Sequence, residues 1–237
     1  MPLRAAGSLL LGAAIFASLP ARASSVSAEV ASDSSHRGLS WIDRKAALEV
    51  TATVPVGPAS FVDLAVIGTR GAARENGAEV MLQAAVRHSV DAGPLALWGG
   101  AGCRLFNGIG LCEVDGGGRY DIAFVSLRVA GHYAPPQSAI GGDTLYLDTG
   151  VDVALPGTPV TLFARTGRSS GRSQDPQRAA RLRPAGRYHD YSAGIAIARG
   201  RLDLGLRYVG ADNVRHPALP GGGDPEGRIV AHIRIDI

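Results

Sequence analysis

The chain has 237 residues, 46% of them hydrophobic, so it holds enough apolar material for a sizeable folded domain and is not disordered by composition. Glycine reaches 32 residues and proline 14, while aromatics are only 5%, a balance that favours turns over long helices. The formal net charge of +3 falls to +1 once Arg4 and Arg22 of the leader are set aside, and nothing in so small an excess points to a nucleic-acid partner.

In chain order, residues 1–23 read as a secretory signal peptide. Arg4 supplies the positive start, Leu9–Leu19 the apolar run, and Ala21-Arg22-Ala23 the small-residue cleavage site before Ser24. The apolar run is too short for a membrane-spanning helix, and no later segment is long and apolar enough. Residues 24–237 then form either a soluble exported domain or a β-barrel that crosses a bilayer with alternating strands.

From Val26 onwards the hydrophobic period is two. It runs through Val26–Asp33, Ala47–Val56, Phe61–Thr69, Glu79–Val90, Asp143–Ala154, Val160–Arg165, His189–Ala198 and Arg201–Ala211, and ends in Ile229–Ile237. Leu145, Leu147, Val151 and Val153 occupy one face of their segment and Tyr146, Asp148 and Asp152 the other. No segment after the leader has the spacing of a helix. Short connections at Pro55–Pro58, Asp91–Pro94, Leu155–Thr158 and Arg199–Gly200 alternate with long ones near 36–43, 70–77, 106–118, 134–142, 168–187 and 212–227. Outer-membrane barrels have this asymmetry, with short periplasmic turns and longer external loops. The fold expected is therefore all-β, a transmembrane antiparallel up-and-down barrel with a lipid-facing apolar side and a polar lumen.

Simple counting gives eleven strands, but the final strand of such a barrel requires an even number. The misfit lies in 118–133, where Tyr120, Ile122 and Phe124 hold even positions and Leu127, Val129 and Tyr133 odd ones. The slip is either a bulge or an unmarked turn, and loop parity favours the turn, although Val125-Ser126 offers no Gly, Asn or Asp to make it. Twelve strands are expected, with ten as the fallback.

The polar face supplies the candidate lumen residues Glu49, Arg87, Asp148, Asp152, Arg165, Asp203, Arg207 and Arg234. Both signs are present, so ion pairs across the lumen are expected and strong selectivity is not. Cys103 and Cys112, read as the top of a strand and the loop after it, are expected to form a disulfide, with two free thiols as the alternative. His36, His88, His132, His189, His216 and His232 are scattered without metal-ligand spacing, and no cofactor is implied. Ser126 and His132 are too far apart along one strand for a catalytic dyad, so no enzyme activity is expected. The glycine runs at 99–102, 116–118 and 221–223 precede no helix and make no phosphate loop. Seven arginines between 165 and 187 face a single acid, Asp175, and form either a lipopolysaccharide-binding surface or a solvated loop.

The segment Val30–Asp43 resembles the opening signature of the TorF family of porins, through Ser32, Asp33, Arg37, Gly38, Ser40 and Asp43. Asp190–Gly194 and Leu202–Tyr208 resemble that family's end region, while Ile237 stands where such chains usually end in an aromatic. The resemblance implies an outer-membrane barrel that passes ions or small solutes passively. The alternative is a closed barrel serving adhesion or structure through its loops. The expected surroundings are outer-membrane lipid and lipopolysaccharide.

Overall fold

The computed structural model describes residues 25–42, 45–72, 75–184, 186–212 and 227–237. The expected signal peptide, its cleavage site, Asp43, His216 and the glycine run at 221–223 lie outside the described residues. Fourteen strands follow in order: β1 (Ser25–Ala31), β2 (Ser35–His36), β3 (Leu39–Ser40), β4 (Ala47–Pro55), β5 (Ser60–Ala72), β6 (Ala78–Ala92), β7 (Leu95–Phe106), β8 (Ile109–Ile122), β9 (Val125–Gln137), β10 (Gly142–Ala154), β11 (Val160–Ser170), β12 (Tyr188–Arg199), β13 (Leu202–Asp212) and β14 (Arg228–Asp236). Twelve of them, β1 and β4 to β14, close into one antiparallel barrel in sequence order, and β2 with β3 makes a separate two-stranded hairpin.

Closure falls to the shortest wall strand. β1 pairs with β14 from Ser27↔Asp236 to Ala31↔His232, and on its other edge with β4 from Ser25↔Thr53 to Ala31↔Ala47. Both chain ends of the barrel therefore sit at one rim, together with the short turns.

The side-chain polarity is inverted relative to a water-soluble barrel. Val86 is 55% exposed, Val129 63%, Leu147 53% and Ile233 53%, whereas Tyr146 and Arg104, on the opposite face of their strands, are 6% and 8% exposed. Apolar residues outside and polar residues inside are what a hydrocarbon surround demands. The proposed apolar and polar faces of β10 and β14 fall on the outer and inner wall as the alternation requires.

The extra turn in 118–133 exists, two residues earlier than Val125-Ser126. Ile122↔Val125 closes a two-residue hairpin over Ala123-Phe124, with Ala123 at φ 52°. The parity slip is the ordinary signature of such a hairpin, because partners across a two-residue turn differ in parity, as in Tyr120↔Leu127.

The long loop expected over 106–118 is corrected: apart from the turn at 107–108 those residues are strand. Asn107-Gly108, at φ 43° and 78°, turns β7 directly into β8, and the glycines 116–118 pair with Leu97, Trp98 and Gly99 in the wall. An Asn-Gly pair adopts two consecutive positive φ values at little steric cost, which makes this the favoured short hairpin turn. Cys103 and Cys112 are direct partners across that hairpin and are joined by a disulfide, so Cys112 lies in a strand. The glycines have a spatial role as well. A Cβ on Gly117 would meet the Trp98 ring, and one on Gly205 the His232 ring.

Among the described residues a single α-helical turn interrupts the β-structure, at Pro176–Ala179. Asp175 caps it, its carboxylate accepting from the backbone N–H groups of Gln177 and Arg178 at 3.1 Å, and Pro176 occupies the first turn, where no N–H is needed.

Two outcomes are expected. Alkylation of the denatured, unreduced protein leaves both cysteines unmodified by mass spectrometry. Ala123→Val lowers the unfolding free energy by about 1–2 kcal/mol in urea titration, because a β-branched side chain is strained at positive φ, and Ala123→Gly does not lower it.

Candidate functional site

Between β1 and β4 the chain turns back into the barrel instead of rising away from it. Ser32 continues the β1–β14 ladder, its N–H donating to Ala231 O at 2.9 Å and its hydroxyl accepting from Ala231 N–H at 3.0 Å. The β2–β3 hairpin follows, with Ser35↔Ser40 and His36↔Leu39 as partners and Arg37-Gly38 as its turn at φ 52° and 77°. Ser40 donates to Asp33 Oδ1 at 2.6 Å and Trp41 N–H to Ser34 O at 2.8 Å, which fixes the base.

The hairpin is tied to the wall on several sides. Arg37 Nη1 donates to Glu113 Oε1 on β8 at 2.8 Å, and its guanidinium lies 4.6 Å from the centre of the Tyr146 ring on β10. Tyr188 on β12 donates to Arg37 O at 3.0 Å. Arg228 on β14 is ion-paired with Asp33, and Arg207 on β13 donates to Ser35 Oγ at 3.3 Å. Arg104 on β7 pairs with Glu113, approaches His36 Nε2 at 3.3 Å and lies 5.2 Å from the Trp41 ring centre. Gly38 presses on Asp190 and Gly210 so closely that any Cβ there would collide with them.

Ser32, Asp33, Arg37, Gly38 and Ser40 of the opening motif thus all take part in folding this segment inward. Arg37 reaches the far wall, Asp33 holds the near one, and Gly38 allows the close approach. A cluster of Trp41, Ile42, Met81, Phe106, Leu111 and Ile140 packs beside it and fills the loop end of the lumen with apolar side chains.

Beneath the hairpin is a cavity of about 250 Å³, lined by Arg37, Glu49, Arg87, Arg104, Glu113 and Asp115 among others. Polar side chains near the long-loop rim are sequestered, with Arg37 6% and Asp33 4% exposed. Those near the short-turn rim meet water, with Arg165 38% and Arg119 53% exposed. The lumen is wet from the short-turn end and narrows towards the loops.

The eight candidate lumen residues occupy the inner side of the wall, and their partners are mostly neighbours along it. Arg87 approaches Asp63 at 3.4 Å and Asp115 at 3.9 Å. Arg165 holds both oxygens of Asp152 at 2.9 and 3.1 Å. Asp148 pairs with Arg128 and with His132 at 3.3 Å, and Asp203 with His232 at 3.0 Å. Arg234 pairs with Asp236 on its own strand at 3.0 Å, and Glu49 stands directly opposite Glu29. The ion pairs expected across the lumen are therefore corrected. Adjacent strands bring opposite charges close along the wall, and the space between walls is bridged by the hairpin. Arg207 serves that bridge. Ser126 and His132 are each engaged elsewhere, Ser126 donating to Asp121 at 2.6 Å and His132 facing Asp148.

Arg104, Glu113, Tyr146, Tyr188 and Arg228 carry the hairpin; alternation places Tyr146 on the polar face, and Arg104, Glu113 and Arg228 are not among the candidate lumen residues. Their signal was present. Arg104 alternates with Leu105, and Glu113 with Val114, in strand sequence that the Asn107-Gly108 turn would have revealed.

A closed twelve-stranded barrel, apolar outside and charged within, has the architecture of outer-membrane β-barrel proteins. Residues 113–221 match the model of a family described as a bacterial protein of unknown function (Gcw_chp). No curated protein matches the chain. Among solved structures, the NanC porin is similar at 8% identity, over 90% of this chain and 98% of that one, with a TM-score of 0.59. The KdgM porin is similar at 6% identity, over 90% of this chain and 97% of that one, with a TM-score of 0.56. At these identities the likeness is one of fold.

Glu113→Gln is expected to lower the unfolding free energy by about 3 kcal/mol in urea titration, because it leaves two nearly buried guanidinium groups, Arg37 and Arg104, without their carboxylate.

Proposed function

We propose that the protein is an outer-membrane porin for passive diffusion of ions or small solutes, exported by its 1–23 leader and without catalytic chemistry. The observation that carries this reading is the wet, doubly charged lumen inside an apolar exterior, open at the short-turn rim and narrowed by the β2–β3 hairpin. The porin folds among its structural neighbours and the opening segment's resemblance to TorF family porins support it. Glu49, Arg87, Asp148, Asp152, Arg165, Asp203 and Arg234 are then the groups a permeating ion meets. Because positive and negative side chains alternate around the wall, neither sign of ion is strongly excluded. The hairpin sets the narrowest point.

The second reading is a closed barrel acting through its external loops. The apolar cluster of Trp41, Ile42, Phe106 and Ile140 at the loop end favours it.

Single-channel recording in a planar bilayer separates the two. The refolded protein gives small ohmic steps, and a variant with residues 34–41 replaced by a short Gly-Ser linker gives steps several-fold larger. Arg87→Glu and Arg165→Glu each move the reversal potential in a salt gradient towards cation selectivity. Silence from the linker variant, when shown to be folded and inserted, selects the closed barrel.

A further inference from the structure

The arginines between 165 and 187 divide by task. Arg165 lies in the lumen on Asp152. Arg178 donates to Ser138 O at 3.2 Å and pairs with Asp175 at 3.3 Å, and Arg181 donates to Ala139 O at 2.7 Å. Arg183 is only 2% exposed. Its guanidinium reaches Thr144 Oγ1 at 3.1 Å and the carbonyls of Gly171, Gly186, Asp143 and Arg172 at 2.8–2.9 Å. These bonds clamp the ends of the β11–β12 connection onto the barrel rim, so it is a built platform and not merely solvated chain. The remaining three, Arg168, Arg172 and Arg187, are exposed, and their guanidinium groups have no ion pair or hydrogen bond among the described residues.

Their position on the outer wall gives them a meaning. Along the outward face of β12 the order is Ile197, Ile195, Ala193, Tyr191, His189 and then Arg187 at the strand's edge, and Tyr191 stacks on Tyr208 of β13 at 6.2 Å. On β11 the order is Leu162, Ala164, Thr166, Arg168, with Arg168 the direct partner of His189. Hydrocarbon-facing aliphatics thus give way to a tyrosine pair, and one outward step higher to basic groups. That is the sequence of environments across the upper edge of a bilayer, where anionic headgroups begin. Asp212, in register with His189 on β13, has one carboxylate oxygen engaged by the His189 backbone N–H at 3.1 Å.

The geometry points to a binding site for a phosphate-bearing lipid headgroup on the outer wall of β11 and β12, formed by Arg168 and Arg187 above the Tyr191–Tyr208 pair. Arg168 supplies a planar donor set at the level where the headgroup starts, Arg187 closes on it from the next outward position, and the tyrosines hold the upper ends of the acyl chains. Charge complementarity selects a phosphate ester, and the apolar wall below selects one attached to a lipid. This inference rests on the barrel's lying in an outer membrane, and not on the lumen's being open.

The test is native mass spectrometry of the refolded full chain, titrated in detergent with lipid A carrying both phosphates and with the same lipid dephosphorylated. The phosphorylated lipid is expected to stay bound, with affinity reduced about tenfold or more in the double variant R168S/R187S. Arg199→Ser, which removes an exposed arginine at the opposite rim, is expected to leave it unchanged. Equal retention of the dephosphorylated lipid, undiminished retention by the double variant, or displacement by excess inorganic phosphate overturns the site. None of these readings depends on conductance, so a silent channel and a failed lipid site are distinguishable.

Discussion

The constraint on which everything else rests is that a sheet in hydrocarbon has no water to satisfy its edges. Every outward backbone group must be paired within the protein, and only closure achieves that. Here closure depends on β1, seven residues long, which must satisfy β14 on one side and β4 on the other. Once the wall is closed, alternation does the rest. Each strand delivers one residue in two to lipid and the next to the interior, with Leu, Val and Ile on the first side and Asp, Glu and Arg prominent on the second.

A charged interior creates its own requirement. Guanidinium and carboxylate groups held away from water are costly unless each finds a partner. Near the short turns water itself shares in meeting that need, and the wall pairs are partly exposed. Near the loops the protein meets it with the β2–β3 hairpin, whose Arg37 and Asp33 share Glu113 and Arg228 with the wall. Structural need and the narrowing of the lumen thus converge on one segment. The groups that keep the upper lumen electrically satisfied are also those that narrow it.

The fold was largely legible because a period of two leaves a mark on every strand, and even the parity slip between Phe124 and Leu127 translated into a turn. The turn's location was not legible, since Ala123 adopts a left-handed conformation that its side chain does not advertise. The stretch 106–118 reads as loop because glycine at 108, 110 and 116–118 is loop-like in composition, whereas Gly108 makes a two-residue turn and Gly117 leaves room in the wall for the Trp98 ring. The site was legible only in part. Glu49, Arg87 and Asp148 follow from alternation alone. That residues 32–42 fold inward depends on contacts separated by up to 195 positions, such as Arg228 with Asp33, and no local pattern reports them.

The attachment of the hairpin to the last strands and to the middle of the chain has a consequence for assembly. Its near side is held by β13 and β14, the last strands to be made, and its far side by β7 and β8 from the middle. A barrel that lacks its final strand also lacks the Arg228 partner of Asp33 and the β14 edge that pairs with β1, so the same strand completes the seam and the near anchor of the hairpin. Loss of that one strand would therefore open the wall and loosen the plug together.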